Sequence, residues 1–225
     1  MTIPHPLPAG AAEPLPFKFV GGALPLDFVN TVDWLEPVSD VPPSPAALWR
    51  DRLGDYDALL AWAAEAGVLS DAERGALADR ARREPYAARE AHARAIALRA
   101  AVRAAVTAAA AGEPPAPWSA ATLDAAITHA LHHRRLDLST GTPHWRWVDD
   151  GEPLDRVRWA VALGAAELLA GPELGAVRTC LGEDCGWMYV DRSRNHQRRW
   201  CEMAICGNRA KARRHYARRK ESRGR

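Results

Sequence analysis

The chain has 225 residues, of which 48% are hydrophobic and 26% charged, enough apolar material for a substantial core. No run of eighteen apolar residues reads as a membrane span, and the opening MTIPHPLPAG lacks the charged and apolar regions of a secretory leader. The formal net charge of +2 conceals a polarity: residues 191–225 carry thirteen Lys or Arg against three acids, and the remainder carries 17 basic and 25 acidic side chains. A basic tail on an acidic body points to nucleic-acid binding, with a merely solubilising tail as the plainer alternative.

Residues 1–16 are Pro- and Ala-rich without periodicity and read as a loose leader. Phe17-Lys18-Phe19-Val20 is a short strand candidate stopped by Gly21-Gly22. Next, Leu26-Asp27-Phe28-Val29-Asn30-Thr31-Val32 sets Asp27, Asn30 and Thr31 among apolar neighbours. Polar groups in such company need partners when buried, so they act as hydrogen-bonding struts or touch a ligand, and the residues alone favour struts. A proline-rich loop spans Pro37 to Pro45, and Ser44-Pro45 has the form of a helix start.

Tyr56, Leu59, Leu60, Ala63 and Ala64 fit a helix ended by Gly67, and Ser70-Asp71-Ala72-Glu73 is a capping-box pattern opening the next. A long helix is expected from Pro85 to Ala111, with Ile96, Leu98, Val102 and Val106 on its apolar stripe and Gly112-Glu113-Pro114-Pro115 as its stop. Ser119 is expected to cap a helix carrying Leu123, Ile127 and Leu131. Leu136-Asp137-Leu138 and Trp145–Val148 alternate around Gly141-Thr142-Pro143 as a hairpin, and a last body helix runs from about Leu154 to Leu169.

Catalytic signals in this body are sparse. His129, His132 and His133 have helical spacing suited to a metal, but no carboxylate-rich pattern supports one, and a solvated helix face is the commoner reading. No phosphate-cradling glycine loop, nucleophile elbow or dinucleotide fingerprint is present. Trp34, Trp49, Trp62, Trp145, Trp147 and Trp159 could line a pocket, but ordinary packing is favoured.

All four cysteines lie near the end: Cys180 and Cys185, then fifteen residues, then Cys201 and Cys206. Two close pairs with a short insert suit two knuckles closing on one tetrahedral zinc ion. Disulfides need an oxidising compartment, and isolated buried thiols rarely form two even pairs in a polar tail, so one zinc is expected. Four thiolates leave no open position, which makes the metal structural. Gly186–Val190 has strand character and is expected to form a hairpin with Arg198-Arg199-Trp200 between the knuckles. After Gly207-Asn208 the chain should be helical through Lys220, placing the second pair at a helix start, as in a treble-clef finger. Fifty residues so polar have too little core without metal. Arg192, Arg194, Arg198, Arg199, Arg209, Lys211, Arg213, Arg214, Arg218 and Arg219 would clamp phosphates, a few of them reading bases.

Arg192-Ser193-Arg194-Asn195, then Arg198-Arg199-Trp200-Cys201-x-Met203-x-x-Cys206-Gly207-Asn208-Arg209-x-Lys211-x-Arg213-Arg214, resembles the CGNR zinc finger. Gly22-x-x-x-Leu26-Asp27-Phe28-x-Asn30-Thr31 resembles the start of the ABATE domain, and the two likenesses together cover nearly the whole chain. The resemblance implies a bacterial, stress-induced transcription regulator, cytoplasmic and nucleoid-associated when bound to DNA. It also implies a helical ligand-sensing domain ahead of a DNA-binding finger, and so strengthens the ligand reading of Asp27, Asn30 and Thr31.

The expected architecture is therefore mainly α with small β-hairpins: a loose leader over 1–16, a helical domain over 17–175 and a treble-clef-like zinc finger over 176–225. The expected function is a zinc-dependent, DNA-binding transcription regulator answering to a small-molecule effector, with no catalysis and no membrane. A single small finger gains specificity by pairing on a two-fold site, so a homodimer is part of this expectation. The alternatives are RNA or ribosome binding by the same finger, an acidic protein partner for its helix, and an enzyme domain that the finger merely localises.

Overall fold

The computed structural model describes residues 16–34, 40–43, 48–139, 141–148, 153–183 and 185–223, with backbone alone at 34, 48, 49 and 217–223. Most of the expected leader, the Ser44-Pro45 helix start, and the side chains of Trp34, Trp49, Arg218 and Arg219 lie outside the described residues.

Pro25 in its first turn helps start α1 (Leu24–Val29), which buries Pro25, Leu26, Phe28 and Val29. A two-residue antiparallel pair follows, β1 (Asp33–Trp34) with β2 (Leu48–Trp49). Asp55 caps α2 (Tyr56–Glu65) by accepting the Ala58 N–H, and Gly67 turns the chain at φ +71°. The capping box opens α3 (Asp71–Arg83), with the Ser70 and Glu73 side chains each bonding the other's backbone N–H.

The 26-residue α4 (Pro85–Ala110) is the central post. Ala88, Ala91, Ala95, Leu98, Val102, Ala105 and Val106 face inward at helical spacing, and the small alanines among them let neighbouring helices pack closely. α5 (Pro117–His132) leads into the hairpin of β3 (Arg134–Asp137) and β4 (His144–Trp147), in the register Arg134 to Trp147 and Asp137 to His144. A 3₁₀ turn at Pro153–Asp155 precedes α6 (Arg156–Ala170), which buries Val157, Trp159, Val161, Ala162 and Ala165. A second 3₁₀ turn (Pro172–Ala176) delivers the chain to β5 (Val177–Thr179), paired antiparallel with β6 (Met188–Val190). A π-helical turn (Met203–Gly207) then runs directly into α7 (Asn208–Arg223). The molecule is mainly helical with small antiparallel hairpins and a cysteine cluster near its end.

Several local expectations are corrected. Phe17–Val20 is not a strand: the Val20 carbonyl accepts from Arg198 and the Gly21 carbonyl from the Val190 N–H, so the segment is tied down singly and forms no ladder. Ser119 does not cap α5; Ala116 does, Pro117 occupies the first turn, and the Ser119 hydroxyl donates back to the Ala116 carbonyl. Leu131 points outward. The strand β6 pairs with β5 rather than with Arg198–Trp200, so the hairpin brackets the first knuckle instead of joining the two. Trp62 and Trp159 are fully buried core residues, Trp147 stacks on Trp159 at 5.6 Å, and Trp145 is exposed, so these four do not line one common pocket.

Candidate metal centre and nucleic-acid face

The β5–β6 hairpin carries Cys180 and Cys185 at its turn, Cys201 follows on the returning chain, and the π-helical turn that leads into α7 carries Cys206, so separate elements converge. The four sulfur atoms lie within 4.8 Å of one another, and all four cysteines are buried. Cys201 Sγ sits 3.6 Å from both Cys185 Sγ and Cys206 Sγ. A zinc–sulfur distance of about 2.3 Å gives a tetrahedral edge of about 3.8 Å, close to these two separations, so the set fits one zinc. Cys180 Sγ accepts the N–H groups of Gly182 and Cys201, each at 3.3 Å, which stabilises a thiolate. Its thiol is held well below the ordinary value, chiefly by hydrogen bonds from Cys185 and Cys201 and further by those backbone groups. Burial and the neighbouring Cys180 thiolate push Cys206 up. A side chain at Gly182 would press within 3.0 Å of Cys206 Sγ, and Gly186 bends the knuckle at φ +64°. One zinc-binding site results, closed on all four sides and therefore structural.

The finger is sewn to the body. Asn30 donates to the Met188 carbonyl and accepts its N–H, both at 2.8 Å. The Trp187 indole donates to the Val32 carbonyl at 3.0 Å, and the Val190 N–H donates to Gly21 at 2.8 Å. Met188 and Val190 belong to the core of the body, whereas Trp187 and Tyr189 pack on the cysteines. Strand alternation thus turns one face of β6 to each core.

The predicted cations divide into two sets. Arg192 is held by Glu173 at 2.6 and 2.8 Å and by the Gly22 carbonyl at 3.0 Å. Arg198 is also committed: its guanidinium lies 4.1 Å over the Tyr189 ring and donates to the carbonyls of Val20, Trp200 and Cys201. Arg194, Arg199, Arg209, Lys211, Arg213 and Arg214 are exposed. Arg199 rests beside Trp200, Arg213 lies 3.4 Å from Glu183, and Arg214 bonds the Ala210 carbonyl.

Asp27, Asn30 and Thr31 come together around the end of α1, each with protein partners. Asp27 accepts the Gly21 N–H at 2.7 Å, and burial pushes its carboxyl up to about 6 against the hydrogen bonds of Gly21 and Val20. The Thr31 hydroxyl donates to the Phe28 carbonyl and accepts from Arg99, whose buried guanidinium also meets Asp51 at 2.6 and 2.8 Å. His129 accepts from the Trp159 indole at 3.0 Å and His133 stacks on that indole at 4.1 Å, so these histidines pack and orient a tryptophan. Sequence reasoning missed Asn30 as the clamp on β6, Arg198 as an internal anchor and Arg99 as the strut behind Thr31. A buried Asn announces that it needs a partner, but the partner lies 158 residues away.

The fold and site define a zinc-finger protein with a helical N-terminal domain. Residues 176–219 match the CGNR zinc finger, and residues 22–172 match ABATE, described as a putative stress-induced transcription regulator. The chain belongs to the ABATE family. Neither description is of an enzyme family. A search of curated proteins returns no match. No helix among the described residues is long and apolar enough to cross a membrane.

Proposed function

We propose that this protein is a zinc-dependent, DNA-binding transcription regulator whose activity is set by a small ligand in the N-terminal domain. The observation that carries the reading is the exposed array of Arg194, Arg199, Arg209, Lys211, Arg213 and Arg214 on a finger fixed by four buried cysteines. Such an array neutralises phosphates, and zinc gives it one shape. Family membership supports the regulatory role. Arg192 and Arg198, committed within the molecule, shape the loop that presents Arg194 rather than contacting DNA themselves. Two fingers on a two-fold site would double the contacts, so the protein acts as a homodimer on DNA.

Fluorescence anisotropy with duplex DNA across a salt series tests this. Affinity should fall steeply with salt and vanish with chelator, and Arg213→Ala or Arg214→Ala should each lower the salt slope by about one. Salt-insensitive binding would sink the mechanism. A structured RNA that outcompetes the duplex would transfer the same finger to RNA.

A further inference from the structure

Asp27, Asn30 and Thr31 are occupied by protein partners, which moves the search for a ligand site elsewhere in the body. A cleft of about 480 Å³ opens between the start of α1, the β3–β4 hairpin, α6 and the turn leading to the finger. Its volume lies in the range of small-molecule sites. Leu24, Pro25, Trp147, Leu163 and Leu168 give it apolar walls. Gly164 lies in its floor, where a side chain would stand 3.4 Å from Pro25, so α1 and α6 are locked close beneath it.

Three charged side chains line this cleft: Arg134, Glu167 and Glu173. Glu173 is neutralised by the two bonds from Arg192. Glu167 is exposed on α6 and forms no ion pair among the described residues. Arg134 forms none there either; its guanidinium lies over the rings of Trp145 and Trp147, at 4.9 and 5.6 Å. The cleft therefore offers one negative charge with no cationic partner, one positive charge with no carboxylate partner among the described residues, and an apolar floor.

From this complementarity we infer that the cleft binds a small zwitterion with an apolar body, of the amino-acid class: its ammonium toward Glu167, its carboxylate toward Arg134 and its side chain against Trp147, Leu163 and Leu168. The inference deepens the regulator reading and rests on it for biological meaning. The rim of the cleft is also the grip on the finger, because Glu173 and Gly22 both hold Arg192. An occupant thus touches residues that set how the finger is held.

Isothermal titration calorimetry on the full-length, zinc-loaded protein tests the proposal with L-leucine, L-phenylalanine and L-tryptophan as probes. At least one should bind saturably, and L-phenylalanine should bind tenfold or more better than phenethylamine or 3-phenylpropanoate, each of which lacks one charge. Glu167→Gln should erase the advantage over 3-phenylpropanoate, and Arg134→Gln the advantage over phenethylamine. Both positions are solvent-accessible, and zinc content with circular dichroism checks that the variants fold. No saturation with any of the three amino acids overturns the proposal, as does affinity unchanged in both variants. Duplex binding by the same preparation without amino acid reads the regulator role separately, so either idea can fail alone.

Discussion

The body and the finger are held by different means. The body buries Trp62, Trp159, Phe28, Leu98 and a face of alanines on α4, apolar surface that is stable at roughly 25 cal/mol per Å² without any ion. The finger's own cluster is four cysteines with Trp187 and Tyr189, edged by Val20, Trp200 and Ile205. Apolar burial on that scale cannot order fifty residues, so the metal carries it. Between them runs a seam of hydrogen bonds that joins Gly21 and Asn30 to β6 and the Val32 carbonyl to the Trp187 indole. Two modules thus share one stretch of chain: Met188 and Val190 serve the first core, and Trp187 and Tyr189 the second.

Removing zinc is the largest perturbation and tests whether the two regions part. Zinc-finger peptides gain about 10–16 kcal/mol from the metal, so chelation or Cys201→Ser should abolish zinc binding and melt α7 while the body stays helical. Metal content with far-ultraviolet circular dichroism checks this. The body should also lose some thermal stability, since β6 covers part of its core. Complete unfolding on chelation would show one cooperative unit and end the distinction.

The reverse perturbation is Trp159→Ala, which empties the contact between His133 and Trp147 in the body and should cost about 3–5 kcal/mol. Below the lowered melting temperature the variant should still hold one zinc per chain. Loss of zinc from a folded body would mean that the finger depends on the core in a way the seam alone does not explain.

Asn30→Ala strikes the seam itself. It strips a partner from both the N–H and the carbonyl of buried Met188, each worth about 1–3 kcal/mol when unsatisfied. Amide exchange across residues 177–190 should quicken and zinc should escape to a chelator faster. Asn30→Asp sets a buried carboxylate against the Met188 carbonyl, so at neutral pH it should quicken exchange at least as much as Asn30→Ala. Identical exchange in wild type and Asn30→Ala would make the seam incidental.

How much of this was legible in the sequence follows from which interactions are local. Cap residues, glycine stops and the 3.6-residue apolar period act within one turn, so α2, α4 and α6 could be read with nearly correct ends, and α3 from its start. The cysteine spacing encoded its own geometry, because two short loops converging on one ion leave few alternatives. Ser119 misled because a proline two residues earlier is the better first-turn residue and moves the cap to Ala116. The pairing of β6 misled because Gly186–Val190 can ladder with a strand on either side, and the first knuckle decides for β5. That Arg192 and Arg198 also have partners within the molecule could not be read, because composition does not reveal that Glu173 and the carbonyls of Val20 and Cys201 are near. Such partners lie far apart in the chain and appear only with the tertiary fold.

The smallest expected effect concerns pH and belongs to Asp27, which ties Gly21 to α1 just where Gly21 receives β6. Burial raises its carboxyl from the ordinary 3.8 to about 6, so between about pH 6 and pH 4 the folded protein holds a proton that the unfolded chain does not. Stability from this group is therefore present in full below about pH 4 and is lost as pH rises through 6, opposite in sign to a salt-bridged carboxylate. Because Asp27 is only partly buried, the swing should be on the order of 1 kcal/mol. Asp27→Asn retains an oxygen for the Gly21 N–H and removes the titration, so its urea midpoints between pH 4 and 7 should lack that component of the slope. If wild type and variant run parallel over the whole range, the carboxylate is solvated despite its burial, and the Gly21 tether is held by geometry alone.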